Sequence, residues 1–478
     1  MRFDSQGIRM TQRTIETTPK TRPELDSDFT PSVLWEKAFD DAVAAEGGGK
    51  RLAIVAERSD GTVSRTDVTI FENDGSDFQA LNLRRAERAL KLLLWMKGGG
   101  RITVAGDDGI AEGLRGIYSP NGARAFDYEF IGSKINGAPL EIASSPFEDA
   151  PEEKLVETPL GGHFEGCRIG FDLGGSDRKC AAVIDGEPVF SDEIEWSPYF
   201  ENDPKYHLAG IEASLKRAAE HLPRVDAIGG SAAGVYIDNK VRVASLFRGV
   251  PDGLFQTEVV PMFERLKEKW GVPFVVVNDG EVTALAGAAE MDDTAVLGVS
   301  MGTSQAAGYV TPDGKITNWL NELAFVPIDY RHDAPADEWS GDIGCGVQYF
   351  SQQAVARLAP KAGIEFDDAT PFPERLVEVQ KLMAEGDERA AKIYRTIGVY
   401  FAYAIARYAD FYDFRNLLVL GRVTSGEGGE TILDTAKNAL EKEFPELAEK
   451  IRFRTPDEKA KRHGQAVAAA GLPAIEEN

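Results

Sequence analysis

Two glycines next to a carboxylate and a hydroxyl form the first stretch of this chain that could do chemistry. Residues 170–176 end an apolar run with Asp172, Gly174, Gly175 and Ser176. Adjacent glycines after a strand let backbone N–H groups approach a phosphate, and a neighbouring carboxylate can hold the accompanying Mg²⁺. Taken alone, the pattern is equally typical of a hairpin turn.

A carboxylate also follows a second apolar run. Residues 274–287 predict a buried strand that ends at Asn278 and Asp279, before an alanine-rich helix begins. A carboxylate at that place can act as a general base on a substrate hydroxyl, and the neighbouring amide can orient the same hydroxyl. Alternatively, Asp279 only caps the helix, and the pair taken alone favours capping.

A glycine and two hydroxyls form the third stretch. Residues 295–310 predict two strands that meet at Gly302, Thr303 and Ser304. A bend with little steric bulk and two outward hydroxyls suits phosphate oxygens. A plain hairpin is the alternative, and the turn taken alone favours it.

The fourth stretch is an apolar strand that opens into a glycine loop. Residues 417–420 lead to Gly421 and Gly426, and we expect a helix to begin at Ile432. Such a loop can lie flat against a purine base. Glycine-rich loops between a strand and a helix are also common without any ligand.

Composition limits the classes of function. The 478 residues exceed one ordinary core, so two or three domains are expected. The formal net charge of -25 disfavours nucleic acid and anionic membranes as partners. Three widely spaced cysteines argue against disulfides and against a cysteine-based zinc site. No apolar run approaches the length of a membrane span, so we expect a cytoplasmic protein.

The elements that must position these residues alternate between strands and helices, which predicts an α/β architecture. Residues 1–30 are polar and without period, and are interpreted as a flexible or surface-draped arm. Residues 31–160 predict a separate N-terminal α/β domain, which ends in a breaker-rich linker. Its order of strand, tight turn, strand, helix and strand is similar to that of the segment starting at Cys167. This similarity suggests a degenerate internal repeat.

The order and spacing of the four stretches are more specific than any one of them. Together they resemble the actin-like ATPase fold, a two-lobed, ribonuclease H-like α/β architecture. Within that fold the chain resembles the ROK family of repressors, open reading frames and sugar kinases, over roughly residues 165–472. The resemblance implies a first lobe at 161–290 and a second lobe at 291–478.

The resemblance also implies a role for each motif. Asp172 would hold Mg²⁺, Asn278 would bind sugar hydroxyls, and Asp279 would be the catalytic base. Two loops would bind the phosphates of ATP and a third would pack against the adenine; their residues are Gly174, Gly175, Ser176 and Lys179, then Gly302, Thr303 and Ser304, then Gly421 and Gly426. The expected activity is ATP-dependent transfer of a phosphoryl group to a hydroxyl.

The chain departs from the family at the acceptor end. Kinases of the family carry Glu-x-Gly-His where this chain has Glu322 to Phe325, so the glutamate is kept and the histidine is lost. Two of three cysteines are missing from the segment that ends at Cys345, which predicts no zinc site. A sugar-contacting glutamate is replaced by Val347.

Three interpretations remain open. The favoured one is a kinase whose acceptor is a sugar or polyol other than glucose, with Asp279 as base and Glu322 as a hydroxyl ligand. The second is a regulatory protein that binds a nucleotide or sugar without catalysis. A DNA-binding repressor is disfavoured by the net charge and by the strand-hairpin pattern near the N-terminus. A homodimer is expected from the resemblance alone.

Overall fold

The computed structural model describes residues 14–72, 75–155, 160–455 and 464–475, which form three α/β units. Each unit is built around a sheet of its own, with four, five and four strands in chain order. No helix within these ranges is long and apolar enough to cross a membrane.

The N-terminal unit is a four-stranded sheet with order β2-β1-β3-β4. Its strands are β1 (Gly49–Glu57), β2 (Val63–Phe71), β3 (Arg101–Ala105) and β4 (Glu141–Ser145). Its helices are α1 (Ser32–Ala45), α2 (Ser76–Lys97), α3 (Asp108–Ile117) and α4 (Ala125–Asp127), which continues as a π-helical segment to Asn136. The turn at Asp60 and Gly61 joins β1 and β2 in an antiparallel hairpin, as its sequence predicts.

The first lobe has a five-stranded sheet with order β11-β8-β5-β6-β7. Its strands are β5 (Cys167–Leu173), β6 (Asp177–Ile184), β7 (Glu187–Glu195), β8 (Ala227–Ala232) and β11 (Phe274–Asn278), and β9 (Val235–Ile237) and β10 (Lys240–Val243) form a separate hairpin. Its helices are α5 (Pro204–Ala219), α6 (Asp252–Leu254) and α7 (Met262–Trp270). Strands β5, β8 and β11 run parallel, whereas β5, β6 and β7 form an antiparallel meander.

The second lobe repeats this plan with order β13-β12-β14-β15. Its strands are β12 (Val296–Met301), β13 (Gln305–Val310), β14 (Asn416–Leu420) and β15 (Arg452–Arg454). The helices of this half of the chain are α8 (Asp279–Met291), α9 (Gln352–Leu358), α10 (Phe372–Ala384), α11 (Glu388–Tyr408), α12 (Gly426–Glu443), α13 (Pro445–Lys450) and α14 (Gly464–Ala470). The hairpin β12-β13 is antiparallel, and β14 and β15 continue it in parallel.

Strand direction argues against the predicted internal repeat. In the first lobe β8, the strand after the long helix, pairs parallel with β5. In the N-terminal unit the corresponding strand β3 pairs antiparallel with β1. The shared order of elements therefore folds into two different topologies, because sequence order alone does not set the direction in which a returning strand pairs.

Two helices lie outside the lobes to which the sequence boundaries assigned them. Helix α8 packs on β13 of the second lobe, where a Cβ added to Gly280 would lie 2.4 Å from the Ala307 carbonyl oxygen. Helix α14 returns to the first lobe, and a Cβ on Gly229 would lie 1.7 Å from the Ala469 carbonyl oxygen. The boundaries 161–290 and 291–478 are therefore wrong at these two helices, since only the fold reveals such long-range packing.

The described part of the predicted arm, residues 14–30, is draped over the second lobe. Phe29 is buried against Tyr400, with ring centroids 4.7 Å apart. Asp26 forms ion pairs with Arg331 and Arg357 and accepts a hydrogen bond from the Tyr400 hydroxyl at 2.6 Å. These contacts fit the expectation of a surface-draped arm better than that of a flexible one. Residues 1–13 lie outside the described residues.

The N-terminal unit and the second lobe share one hydrophobic core, whereas the first lobe has a core of its own. Trp95 of α2 stacks on Phe325 of the second lobe, with ring centroids 4.2 Å apart. Phe126 and Phe130 pack around the same pair. The extra unit is thus packed onto the second lobe at the place where the family's acceptor histidine is expected.

Candidate functional site

Parallel strands bring the first two motifs to one edge of the first-lobe sheet. Asp172 on β5 pairs with Ser231 on β8, and Asn278 at the end of β11 pairs with Ala232. Since the carboxyl ends of parallel strands share an edge, the strand ends that carry Asp172 and Asp279 lie at the same edge of the sheet, on either side of β8. The charge of Asp172 contributes to the raised pKa of Asp279, which places the two carboxylates in one electrostatic environment.

Asp172 is buried and held by its neighbours. Its Oδ1 accepts a hydrogen bond from the Ser231 hydroxyl at 2.7 Å, and its Oδ2 lies 3.8 Å from Lys179 Nζ. Burial raises the pKa of Asp172, although the Ser231 hydrogen bond and the Lys179 charge oppose the increase. The sequence analysis did not single out Ser231, which lies near the end of β8.

The first predicted phosphate loop is a tight turn between β5 and β6. Gly174 N–H donates to the Asp177 carbonyl at 2.9 Å, and Ser176 Oγ donates to the Asp177 carboxylate at 2.8 Å. Lys179 Nζ lies 2.6 Å from Asp177 Oδ1. The residues of the predicted phosphate loop thus form a hairpin turn, and its lysine is paired with two carboxylates.

Two aromatic residues that the sequence analysis missed brace this loop. Trp196 donates its indole N–H to the Gly174 carbonyl at 2.7 Å. A Cβ on Gly175 would lie 1.9 Å from the Tyr199 hydroxyl oxygen, so only glycine fits beneath that ring. Arg248 lies over the Tyr199 ring at 4.1 Å. No sequence signal marks these residues, because they reach the loop from after β7 and from after β10.

Asn278, predicted to bind sugar, caps helix α8. Its Oδ1 accepts from Gly280 N–H at 2.7 Å, and its Nδ2 donates to the Gly234 carbonyl at 2.7 Å. An amide group has two donor hydrogens and two acceptor lone pairs, so one of each remains for a ligand. The capping role that the sequence offered to Asp279 thus falls mainly on Asn278.

Asp279, the predicted base, is half-buried at the first position of α8. Its side chain accepts a hydrogen bond from the Gly280 N–H at 3.0 Å. Burial, followed by the charge of Asp172, raises the pKa of Asp279 to about 6. A carboxylate with few partners and a pKa near neutrality has the properties of a general base.

Glu322, in the second lobe, is influenced by the charge of Asp279. Burial, followed by the charge of Asp279, raises its pKa to about 7. The neighbouring turn carries Phe325, and Val347 lies in another buried turn. The structure therefore brings Asp172, Asp279 and Glu322 into one electrostatic group, with apolar side chains at the two positions where the family has ligands.

The second phosphate loop and the adenine loop meet at the edge of the second-lobe sheet. Thr303 and Ser304 are exposed in the turn between β12 and β13, and Gly302 N–H donates to the Ser304 carbonyl at 2.9 Å. Gly421 ends β14 with φ of 104°, and a Cβ there would lie 2.4 Å from the Met301 carbonyl oxygen. These loops are therefore adjacent, as parallel pairing of β12 and β14 requires.

Helix α12 begins six residues earlier than the sequence predicted, at Gly426 instead of Ile432. The glycines that were interpreted as a loop lie in its first turn, because packing against neighbouring helices overrides their low helix propensity. A cavity of about 340 Å³ opens beside this helix start and is lined by residues including Gln352, Arg422 and Ser425. Gln352 N–H donates to the Gly302 carbonyl, so the cavity borders the second phosphate loop.

The donor atoms at the first-lobe edge fit a hard cation. Asp172 Oδ2 has no hydrogen-bond partner among the described residues within the usual distance, and Asp279 accepts only from Gly280. Carboxylate oxygens are the ligands that Mg²⁺ prefers. Asp172 is therefore suited to hold the metal that accompanies a nucleotide.

The segment that matches the family's zinc cluster has a different chemistry. Burial raises the pKa of Cys345 to about 12, which disfavours the thiolate that zinc requires. Its neighbour Asp342 is bound by Lys91 and Arg124 from the N-terminal unit. No group of three or more metal-ligating side chains occurs in the described ranges. This donor set does not fit a structural zinc ion.

Comparison with models of protein families identifies the family of this chain. The sequence model of the ROK family matches residues 168–471. This chain belongs to the ROK family. A search of curated protein sequences found no match.

Solved structures of ROK proteins share the fold. A ROK hexokinase from Thermus thermophilus is 19% identical with a TM-score of 0.50, and the alignment covers 64% of this chain and 96% of that one. A ROK glucokinase from Streptomyces griseus, solved with glucose and AMPPNP, is 21% identical with a TM-score of 0.44, covering 64% and 98%. A ROK transcriptional regulator, a homolog of the E. coli MLC protein, is 16% identical with a TM-score of 0.49, covering 65% and 78%. The family match and the likeness to the hexokinase give the two lobes the actin-like ATPase fold, and the N-terminal unit lies outside the family match.

Proposed function

We propose that this ROK protein is an ATP-dependent kinase that phosphorylates a hydroxyl of a sugar or polyol, with Asp279 as the general base. The observation that carries the proposal is the environment of Asp279, a half-buried carboxylate with a pKa near 6 beside Asp172. Three glycine-containing loops at the matching sheet edges support it, since they are suited to hold a nucleotide.

In the proposed reaction Asp279 takes the proton of the acceptor hydroxyl. The hydroxyl oxygen then forms a bond to the γ-phosphorus of ATP, while the bond from that phosphorus to the β-bridging oxygen breaks and its electron pair leaves with ADP. Backbone N–H groups of the turns at 174–176 and 302–304 stabilise charge on the transferred group. Mg²⁺ held at Asp172 supplies charge neutralisation for the phosphates.

The acceptor is expected to differ from glucose. Phe325 and Val347 replace two polar ligands of the family, and both are buried. A sugar hydroxyl facing them would lose a hydrogen bond, at a cost of about 1–3 kcal/mol. Glu322, with a pKa of about 7, can donate or accept a hydrogen bond near neutral pH and remains as a hydroxyl ligand.

Substitution of Asp279 tests the proposal. Purified protein is incubated with ATP, Mg²⁺ and a panel of hexoses, amino sugars and polyols, and ADP formation is measured. With the best acceptor, Asp279→Asn is expected to lower kcat by about 10²- to 10⁴-fold, because the amide cannot take a proton. Asp313→Asn, in an exposed turn of the second lobe, is the matched control and should keep full activity.

A second candidate is a protein that binds a nucleotide or sugar and transfers no phosphate. The stacking of Trp95 on Phe325 favours it, since an aromatic cluster packs where the family's histidine would face a sugar. If ATP raises the melting temperature but no acceptor stimulates ADP formation, this candidate replaces the kinase.

A further inference from the structure

A second cavity, far larger than the one beside α12, lies between the N-terminal unit and the second lobe. Its volume is about 730 Å³, and its walls are helix α2, the end of α3, residues 330–343, the arm at residues 14, 15 and 30, and Trp35 of α1. None of the kinase residues described above lines it. It therefore is not explained by the family's activity.

Four arginines line this cavity, and two of them have complete ion pairs. Arg124 binds Glu87, with Nε and Oε1 2.7 Å apart, and also Asp342. Arg331 lies 3.0 Å from Asp26 and 2.7 Å from Asp329. These two pairs hold the walls together and leave no excess charge for a ligand.

The other two arginines are less completely paired. Arg84 contacts the His332 ring and the Tyr330 carbonyl, and no ion pair joins it to a carboxylate among the described residues. Arg88 is only 4% exposed, and its Nε and Nη1 have no hydrogen-bond partner in this part of the chain. Its nearest carboxylate, Glu87, is 3.4 Å from Nε and already accepts from Arg124.

Two groups in the wall are affected by burial and by the charges of these arginines. Burial, followed by the charge of Arg88, lowers the pKa of Arg84 to about 10. Burial and the charges of Arg84 and Arg88 lower the pKa of His332. The two other wall carboxylates, half-buried Asp77 and exposed Asp333, form no ion pair with either arginine among the described residues.

We propose that this cavity binds a small organic phosphate, whose phosphate group is held by Arg84 and Arg88. A buried guanidinium with unsatisfied N–H donors is costly, and planar guanidinium groups match phosphate oxygens in bidentate geometry. The volume exceeds that of a bare phosphate, and the side chains of Trp35, Leu81 and Ile117 line the remaining space. The bound molecule bridges α2 of the N-terminal unit and residues 330–332 of the second lobe.

Calorimetry and thermal unfolding of the full chain test this site, with inorganic phosphate and a hexose 6-phosphate as probes and the unphosphorylated hexose as control. Millimolar phosphate or hexose phosphate is expected to raise the melting temperature and to bind once per chain. The hexose phosphate should bind more tightly than inorganic phosphate if the wider cavity is used. No binding of either probe would overturn the proposal.

Variants assign the binding to the cavity. Arg88→Met keeps the side-chain length, removes the guanidinium and its unsatisfied N–H donors, and should weaken binding of the phosphate probe by about tenfold or more. Arg84→Gln, at a half-buried position, gives a second variant that does not depend on how Arg88→Met folds. Arg101→Met on the exposed start of β3 is the control and should leave binding unchanged.

The kinase site is a competing location for a hexose phosphate, and Asp279→Asn distinguishes the two. Binding that is unchanged in Asp279→Asn but lost in both arginine variants supports the cavity. Binding that survives both arginine variants contradicts it. Neither result depends on whether the chain is an active kinase.

Discussion

Asp279 and Glu322 show how neighbouring charges and burial set the acid–base properties of the proposed kinase site. Burial raises the pKa of both groups, and the charge of Asp172 adds to the shift of Asp279 as the charge of Asp279 adds to that of Glu322. The sequence identified Asp279 from its place after a strand and Glu322 from the family resemblance. Their pKa values depend on burial and on neighbours from another lobe, which spacing does not reveal.

The pKa of Asp279 predicts the pH dependence of the proposed reaction. A general base must be ionised, so the single-turnover rate should rise with pH through about 6 and level off above it. Below that value the rate should fall about tenfold per pH unit. A rate of chemistry that stays flat between about pH 5 and 7 would contradict the role of Asp279.

Glu322→Gln provides the control for this profile. The amide keeps the shape of the side chain and removes a group with a pKa of about 7. We expect the rise in rate near pH 6 to persist, because it reflects the ionisation of Asp279. The KM for the acceptor should rise, because the amide is a weaker ligand for the acceptor hydroxyl. If the rise in rate near pH 6 disappears in this variant, the ionisation belongs to Glu322 instead.

At the scale of elements, two glycines let helix α14 lie directly on the first-lobe sheet. A Cβ on Gly170 or Gly229 would meet the carbonyl oxygens of Ala466 or Ala469 at 1.7 Å. The helix and strands β5 and β8 therefore touch through their backbones. This contact supports the strands whose ends position Asp172 and Ser231.

Gly229→Ala should consequently destabilise the protein. The added methyl group forces the helix away from the sheet, with an expected cost of about 1–3 kcal/mol or more. Gly116→Ala in α3 is the matched control, since nothing lies within 4 Å of its Cβ and alanine favours a helix. Urea unfolding curves compare the two; equal midpoints would mean that the contact contributes no stability.

The sequence predicted the elements that carry the site better than their packing. The apolar strands that lead to Asp172, Asn278 and Gly421 were predicted, because hydrophobic periodicity and turn residues are local signals in the sequence. The predicted start of α12 was wrong, because the glycines near Gly426 have a low helix propensity and the sequence does not show the tertiary contacts that hold them in the helix. The return of α14 was not predicted, because it depends on residues far apart in the chain.

At the scale of the whole molecule, the N-terminal unit is built into the second lobe. Phe325 lies within an aromatic group that both units share, with Trp95, Phe126, Phe130 and Trp339 around it. Ion pairs also join the two units, since Lys91 and Arg124 of the N-terminal unit bind Asp342 of the second lobe. Phe325, which stands where the family has a histidine, is thus covered by this unit. The sequence showed the loss of the histidine but not the partner of its replacement.

Phe325→Ala tests how strongly this group joins the two units. Removing a buried ring should cost about 3–5 kcal/mol of unfolding free energy, because the surrounding side chains come from both units and cannot all relax. Trp339→Ala is the control, because that ring contacts the same group but is 60% exposed. Thermal unfolding should show a much larger loss for Phe325→Ala; similar losses would mean that the group does not join the units.

The return of α14 has a consequence for the order in which the chain matures on the ribosome. Strands β5 and β8 emerge early, but the helix that covers Gly170 and Gly229 emerges only after the whole second lobe. Until then, one face of the first-lobe sheet has no covering helix and its apolar residues remain open to chaperones and to wrong partners. Synthesis of residues 464–470 therefore completes the lobe that carries Asp172.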